Sequence, residues 1–149
     1  MLDSLSVKDD NMSTAECKDI RCNDVVCNIM VVDDDDDILF TIRIGLEEKG
    51  FKIHTFSTAE SALAAFEDHP PNYYDLVLTD IYMPNMNGFA LYLSLKEKAP
   101  SLKIAFMTAF NIPMEEFRAI LPSVELNDII QKPFSLTDLA TRIIYILLS

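Results

Sequence analysis

Basic residues are scarce in this chain. It has 12 lysine and arginine residues against 24 aspartate and glutamate residues, which gives a formal net charge of −12 over 149 residues. A protein this acidic is repelled by the phosphate backbone of nucleic acids and by anionic membrane surfaces. We therefore predict that the chain binds neither nucleic acid nor membrane.

Cysteines and long apolar runs are scarce as well. The three cysteines, Cys17, Cys22 and Cys27, are an odd number and lack a fourth ligand for a structural zinc ion, so we expect free thiols. The longest uninterrupted apolar stretch, 143–148, is far too short to cross a bilayer, and the first ten residues contain no apolar core of a secretion signal. These absences predict a cytoplasmic protein.

The composition nevertheless supports a folded domain. Half of the residues are hydrophobic, and 149 residues suit one domain with its own core. Residues 1–25 are polar and mixed in charge, without a helical or strand period, and we predict a flexible leader there. The folded domain is then expected over 26–149.

From about residue 26, strand and helix patterns alternate five times, which is typical of a parallel sheet with helices on both faces. The runs 28–32, 76–79 and 104–108 are almost entirely apolar, as expected where both faces of a strand are covered. The strand 51–56 alternates and the strand 126–131 begins with polar residues, so both are predicted at edges. Edges in second and fifth place predict the order 2-1-3-4-5 of the α/β flavodoxin-like doubly wound fold.

Polar residues stand where the predicted strands end. Asp33 and Asp34 follow the first strand, Asp80 ends the third, Thr108 closes the fourth and Lys132 follows the fifth. In this fold, ligands bind beyond the carboxyl ends of the strands, where strands one and three are neighbours. We therefore expect these five side chains to share one pocket.

Three carboxylates in one pocket repel one another. At about 5 Å and an effective dielectric constant near 20, each pair costs on the order of 3 kcal/mol, so a cation is expected. An incomplete set of oxygen ligands suits Mg²⁺, which keeps waters and accepts a phosphate oxygen. Asp80 is then the natural nucleophile for a phosphoryl group. The remaining acids, Asp35 to Asp37, are interpreted as the favourable first turn of a helix.

Helix starts are also marked. Ser57 with Glu60 is interpreted as a capping box that opens the second helix, and Ser135 with Asp138 starts the last one.

Taken together, these motifs resemble the response-regulator receiver domains of two-component signalling, in particular the single-domain, chemotaxis-messenger-like ones, over roughly residues 27–148. The resemblance rests on Val31-Val32-Asp33-Asp34, on Leu78-Thr79-Asp80-Ile81-Tyr82-Met83-Pro84 with Gly88, on Met107-Thr108-Ala109 and on Lys132-Pro133-Phe134.

The resemblance implies a phosphorylated aspartate and a metal. A histidine kinase or a phosphotransfer protein would transfer a phosphoryl group from phosphohistidine to Asp80. Mg²⁺ would be held by Asp34, Asp80 and the backbone carbonyl of Tyr82, with Asp33 acting through a water molecule. The chain would be a signalling switch without an output domain, catalysing at most its own phosphorylation and dephosphorylation, and would act on a downstream protein target.

The resemblance also implies how the phosphoryl group is sensed. Thr108 would donate a hydrogen bond to it, Lys132 would pair with it, and the Lys132–Pro133 peptide bond would be cis. Family members usually carry an aromatic residue three positions before the lysine, where this chain has Ile129. A readout that depends on an aromatic ring moving inward is therefore in question. Phe110, two positions after Thr108, also belongs to this readout region.

Two further features lead to hypotheses. Tyr82 and Phe110 flank the expected site, either as ordinary loop aromatics or as residues that obstruct the hydrolytic water and prolong the phosphorylated state. The last helix, 136–148, is apolar on more than one face. Its predicted core positions are Leu136, Leu139, Ile143 and Leu147. The surplus residues Ile144, Ile146 and Leu148 are then expected to form a partner or dimer surface.

Two alternative functions stay open on the sequence. Asp33-Asp34-Asp35 also fits the motif of a haloacid-dehalogenase-like phosphatase, with Asp33 as nucleophile and Asp35 as acid, although this leaves Asp80 unexplained. A pseudo-receiver that binds partners without being phosphorylated is the other alternative.

Overall fold

The computed structural model describes residues 26–109, 114–122 and 128–149. The predicted leader, Cys17, Cys22 and Phe110 lie outside these residues. Cys27 is a free thiol, as predicted. Within the described ranges no helix is both long and apolar enough to span a membrane.

Strands and helices alternate along the described chain. They are β1 (Asn28–Val32), α1 (Asp36–Glu47), β2 (Lys52–Phe56), α2 (Ala59–Glu67), β3 (Leu76–Asp80), α3 (Gly88–Lys98), β4 (Lys103–Thr108), α4 (Met114–Ile120), β5 (Ile129–Gln131) and α5 (Leu136–Leu148).

The five strands form one parallel sheet in the order β2-β1-β3-β4-β5, which confirms the predicted fold and both predicted edges. The register fixes where the functional residues lie. Val32 lies opposite Thr79, Asp80 opposite Met107, and Thr108 opposite Gln131. The residues that end β1, β3, β4 and β5 therefore meet at one edge of the sheet.

The central strands are buried because helices cover both faces of the sheet. In β1, Met30 and Val32 face one hydrophobic cluster while Ile29 and Val31 face the other, and all four are fully buried. The first cluster includes residues of α2, α3 and α4, and the second includes residues of α1 and α5. This two-sided burial explains the nearly unbroken apolar runs in the sequence.

Side-chain caps fix the starts of four helices. Asp35 accepts hydrogen bonds from the backbone N–H groups of Asp37 and Ile38 at the start of α1. Thr58, and not Ser57 as predicted, caps α2 by accepting from Ser61 N–H. The other two caps are Asn87 for α3 and Ser135 for α5. The second half of the acidic run thus stabilises α1, as predicted.

The buried face of α5 corrects one prediction. Leu139, Ile143 and Ile146 lie on this face, and Ile146 is only 4% exposed. These positions follow the i, i+4, i+7 spacing of a single helical face. Ile146 is therefore a core residue, and its assignment to the partner surface was wrong. Ile144 and Leu148 are exposed, at 39% and 75%.

A histidine at the edge of the sheet is expected to couple stability to pH. The Nδ1 atom of His54 lies 2.8 Å from the hydroxyl of Tyr74, which is buried. Burial lowers the pKa of His54, the charges of Lys52 and His69 lower it further, and Glu47 acts in the opposite direction.

The unfolded chain protonates this imidazole near its ordinary pKa of about 6.5, whereas the folded chain does so only at lower pH. We expect the free energy of unfolding to fall as the pH is lowered through that value. The His54→Gln variant keeps an acceptor for the Tyr74 hydroxyl but has no imidazole to protonate. Its free energy of unfolding, measured by urea titration, should fall less than that of the parent between pH 7.5 and 5.5 (about one pH unit on either side of the ordinary histidine pKa). If the free energy of unfolding of the parent and of His54→Gln depended on pH in the same way, this coupling would be contradicted.

Candidate functional site

Three aspartates meet where β1 and β3 end. Asp33, Asp34 and Asp80 each offer a carboxylate oxygen, and these atoms lie within 4.8 Å of one another. Asp33 is buried, Asp80 is half-buried and Asp34 is exposed, so one side of the cluster is open to solvent. Hard oxygen ligands with an open side fit Mg²⁺, which retains part of its water shell.

Lys132 brings the positive charge into this cluster. Its amine nitrogen lies 2.7 Å from Oδ2 of Asp33 and 3.4 Å from Oδ2 of Asp80. Burial alone lowers the pKa of Lys132, but its hydrogen bonds and charge interactions with Asp33 and Asp80 outweigh burial and raise it. The lysine is therefore protonated when it lies between the two carboxylates.

Asp80 is held in a different electrostatic state. Burial raises the pKa of Asp80 and the charge of Asp33 raises it further, while Lys132 and the N–H of Ile81 act in the opposite direction. One lysine therefore does not fully offset burial and repulsion, and a further cation beside Asp80 would favour its charged form.

Asp33 is committed to structural bonds. Its side chain is 1% exposed; Oδ1 accepts from the N–H of Asp35, and Oδ2 accepts from Lys132. Asp35 in turn caps α1. The phosphatase alternative requires Asp33 as nucleophile and Asp35 as acid, so the geometry of both residues disfavours it.

The loop that follows β3 folds back, so that Gly88 at its end lies against the end of this strand. The N–H of Gly88 donates to the carbonyl of Ile81 at 2.7 Å, and a Cβ atom at Gly88 would overlap the carbonyl oxygen of Asp80. Asn85 adopts a positive φ of 68° within this loop, a conformation that asparagine tolerates better than most residues. Only glycine fits at position 88.

Comparison with known proteins decides the family. The family model described as response regulator receiver domain matches residues 29–144. The chain belongs to this family. The receiver protein CpdR of Brucella abortus is 32% identical over 118 residues, which cover 77% of this chain and 92% of that protein.

Similar proteins include longer response regulators and receiver domains of known structure. The heme response regulator HssR of Staphylococcus epidermidis is 31% identical over 116 residues, covering 78% of this chain and 49% of HssR. The chain thus spans about half the length of the first curated relatives that it matches. A CheY-like receiver domain protein from Methanospirillum hungatei superposes with a TM-score of 0.72 at 27% identity, covering 83% of this chain and 94% of that chain.

The remaining predicted residues of the receiver domain lie around the aspartates. Thr108 is buried at the end of β4, one position beyond the residue opposite Asp80, and its carbonyl accepts from the N–H of Lys132 at 2.7 Å. Tyr82 lies two residues after Asp80 and is exposed. Its effect on the lifetime of the phosphorylated state stays a prediction. The Lys132–Pro133 peptide bond is cis.

Three hydrogen bonds of β5 were not predicted. The side-chain amide of Gln131 donates to the carbonyls of Thr108 and Lys132 at 3.3 and 3.2 Å. Arg142 of α5 donates to the carbonyl of Ile129 at 2.8 Å, and Ile129 itself is half-buried. A polar residue at the end of an apolar strand and an arginine on an apolar helix were the signals available in the sequence.

Proposed function

We propose that this receiver domain accepts a phosphoryl group on Asp80 in a magnesium-dependent step, and that a histidine kinase or a phosphotransfer protein supplies the group from phosphohistidine. The observation that carries the proposal is the position of Asp80 in one cluster with Asp33, Asp34 and the amine of Lys132. A cation and converging carboxylates beside a half-buried acid are what phosphoryl transfer requires.

Asp80 is better placed than Asp33 to act as nucleophile. Asp33 is almost completely buried and its Oδ2 lies 2.7 Å from Lys132, whereas Asp80 is half-buried and its Oδ2 lies 3.4 Å from the same amine. Oδ1 of Asp80 is held by the N–H of Ile81 at 2.8 Å. In the proposed step, an oxygen of Asp80 bonds to phosphorus. The phosphorus–nitrogen bond of the donor breaks, and its electron pair returns to the imidazole. The product is an acyl phosphate on Asp80.

The charges explain why a metal is needed. Three carboxylates and one ammonium group leave the site with two net negative charges, which oppose an incoming phosphoryl dianion. Asp34, Asp80 and the backbone carbonyl of Tyr82 would hold Mg²⁺, with Asp33 acting through water. When bound, the metal would neutralise charge on the carboxylates and on the phosphoryl oxygens.

The signal is proposed to leave through β4 and β5. Thr108 would hydrogen-bond to the phosphoryl group and Lys132 would pair with it, and the backbones of these residues are already linked at 2.7 Å. Gln131 adds a side-chain contact between the same two strands. A displacement of either residue would therefore move the ends of both strands. Two or three charge-assisted hydrogen bonds to the phosphoryl group would supply the few kcal/mol that a change of conformational state needs.

The partner or dimer surface is proposed on the exposed part of α5. Ile144 and Leu148 lie four residues apart on this helix, and Tyr145 beside them is also exposed. Paired Ile144→Asp and Leu148→Asp should abolish any dimer or target complex that beryllium fluoride, a phosphate mimic, induces in light scattering or pull-down measurements. Phosphorylation itself should not change. Complexes that form equally well with the double variant would place the surface elsewhere.

Phosphorylation is the direct test of the proposed function. We expect incubation with Mg²⁺ and acetyl phosphate to add one phosphoryl group, and reductive trapping to locate it on Asp80 by mass spectrometry. Chelation of the metal or Asp80→Asn should abolish the adduct. Asp35→Asn is the matched control, since asparagine also caps helices and Asp35 lies outside the metal cluster.

Two results would contradict the proposal. A wild-type chain that takes no phosphoryl group would favour the pseudo-receiver alternative, and an adduct on Asp33 would favour phosphatase-like chemistry.

A further inference from the structure

The peptide unit between Asp80 and Ile81 is held on both sides. The hydroxyl of Thr79 donates to the carbonyl oxygen of Asp80 at 2.9 Å. On the other side of the same unit, the N–H of Ile81 donates to Oδ1 of Asp80 at 2.8 Å. Gly88 packs directly against that carbonyl and bonds to the carbonyl of Ile81.

Strand packing alone does not explain a threonine at position 79. Thr79 is fully buried in β3, next to Leu78, and lies opposite Val32 and Phe106 in the neighbouring strands. Valine has the same shape and also favours strands, whereas a buried hydroxyl costs free energy unless it is bonded. In the part of the chain that the structure describes, the hydroxyl is bonded to the carbonyl oxygen of Asp80.

We propose that Thr79 is a positioning residue for phosphoryl transfer to Asp80. Its hydroxyl fixes the plane of the Asp80–Ile81 peptide, the N–H of Ile81 then anchors Oδ1, and Oδ2 is left facing the amine of Lys132. This inference rests on the proposed function.

The physical need for such an anchor follows from the aspartate side chain. Rotation about its last bond is soft and interchanges two chemically identical oxygens. A carboxylate that turns freely presents each oxygen to phosphorus only part of the time, and reaction rates depend strongly on orientation. An anchor on Oδ1 makes the two oxygens of Asp80 inequivalent. Oδ2 then stays 3.4 Å from Lys132.

The rate of phosphorylation by acetyl phosphate at fixed Mg²⁺ tests the proposal. We expect Thr79→Val to be about fivefold slower than the parent, the factor that corresponds to one hydrogen bond. Thr79→Ser keeps the hydroxyl and should remain near the parental rate. Thr55→Val is the matched control, because Thr55 lies on edge strand β2, which does not pair with β3.

A second readout separates positioning from general loosening of the core. In NMR spectra, Thr79→Val should shift the amide proton of Ile81 and increase its exchange with solvent, while the amide of Met30 in β1 stays unchanged. If the valine variant does not fold, comparison of Thr79→Ser with Thr79→Ala isolates the same hydroxyl. The alanine variant should then show the slow rate and the shifted Ile81 amide.

Three outcomes have distinct meanings. Parental rates together with an unchanged Ile81 amide in Thr79→Val or Thr79→Ala would overturn the inference. Equal losses in the serine and valine variants would also overturn it, because keeping the hydroxyl would then not preserve the rate. If the parent itself forms no acyl phosphate, the proposed function fails, and the Ile81 amide still decides whether Thr79 orients Asp80.

Discussion

Replacing Lys132 with methionine is expected to lower the free energy of unfolding by about 3–5 kcal/mol, the cost of removing one partner from a buried ion pair. The lysine side chain is 13% exposed and that of Asp33 is 1% exposed, so water has little access to Asp33 in place of the amine. The variant would leave Asp33 and Asp80 facing each other without a cation. Urea unfolding without Mg²⁺ measures the effect.

A matched lysine provides the control. Lys96 is also partly buried, but its amine donates to neutral carbonyl groups, that of Leu102 at 2.6 Å and that of Pro100 at 3.4 Å. Lys96→Met should therefore cost only about 1 kcal/mol. Adding Asp33→Asn to Lys132→Met should recover much of the lost stability, since position 33, the more deeply buried of the two, then carries no unpaired charge. Equal losses for Lys132→Met and Lys96→Met would show that the pair between Lys132 and Asp33 is not the source of the effect.

Replacing Gly88 with alanine is expected to cost about 3 kcal/mol, the upper end for overpacking, and to remove phosphorylation by acetyl phosphate. The new methyl group would overlap the carbonyl of Asp80 and crowd the Cα atom of Ile81, which are both backbone atoms. Relief requires the backbone beside Asp80 to shift, so stability and phosphoryl transfer should be lost together.

A second glycine, Gly45, provides the control, because an added methyl group is expected to be tolerated there. At Gly45 a Cβ atom would meet Cδ1, Cδ2 and Cγ of Leu136 at 2.5, 2.9 and 3.1 Å, all of them side-chain atoms, and we expect a shift of this half-buried leucine to relieve the contact. Alanine also favours the helix at this position by about 1 kcal/mol. Gly45→Ala should therefore change the unfolding midpoint little and leave phosphorylation intact. Parental phosphorylation of Gly88→Ala would contradict the close approach of Gly88 to Asp80.

The sequence predicted most of the sheet because both faces of its central strands are buried. The strand 28–32 was predicted with its observed bounds, and Asp80 was placed at a strand end where it now lies beside Asp33. Parallel strands bring their carboxyl ends to the same edge, so correct strands were sufficient to predict which side chains meet.

Local choices between similar residues were harder to predict. Ser57 and Thr58 are both good helix caps, and their order along the chain does not show which one adopts the extended backbone. In α5, apolar residues occupy more than one face, so helical spacing left the buried face undetermined. Leu136 and Leu147 proved half-buried and Ile146 buried. The bonds of Asp33 with Lys132 and of Thr79 with Asp80 depend on side-chain geometry, which a sequence pattern does not contain.

The brevity of β5 has a consequence for how the site can come apart. This strand has three residues and one neighbouring strand, whereas β1 and β3 lie between two neighbours each. Short edge segments open more readily than central ones. Detachment of β5 would carry the ammonium group away and leave the aspartates in place. Backbone hydrogen exchange should therefore be faster at Ile130 and Lys132 than at Val31 and Leu78. The amine of Lys132 would then be the group of this site that is most often displaced.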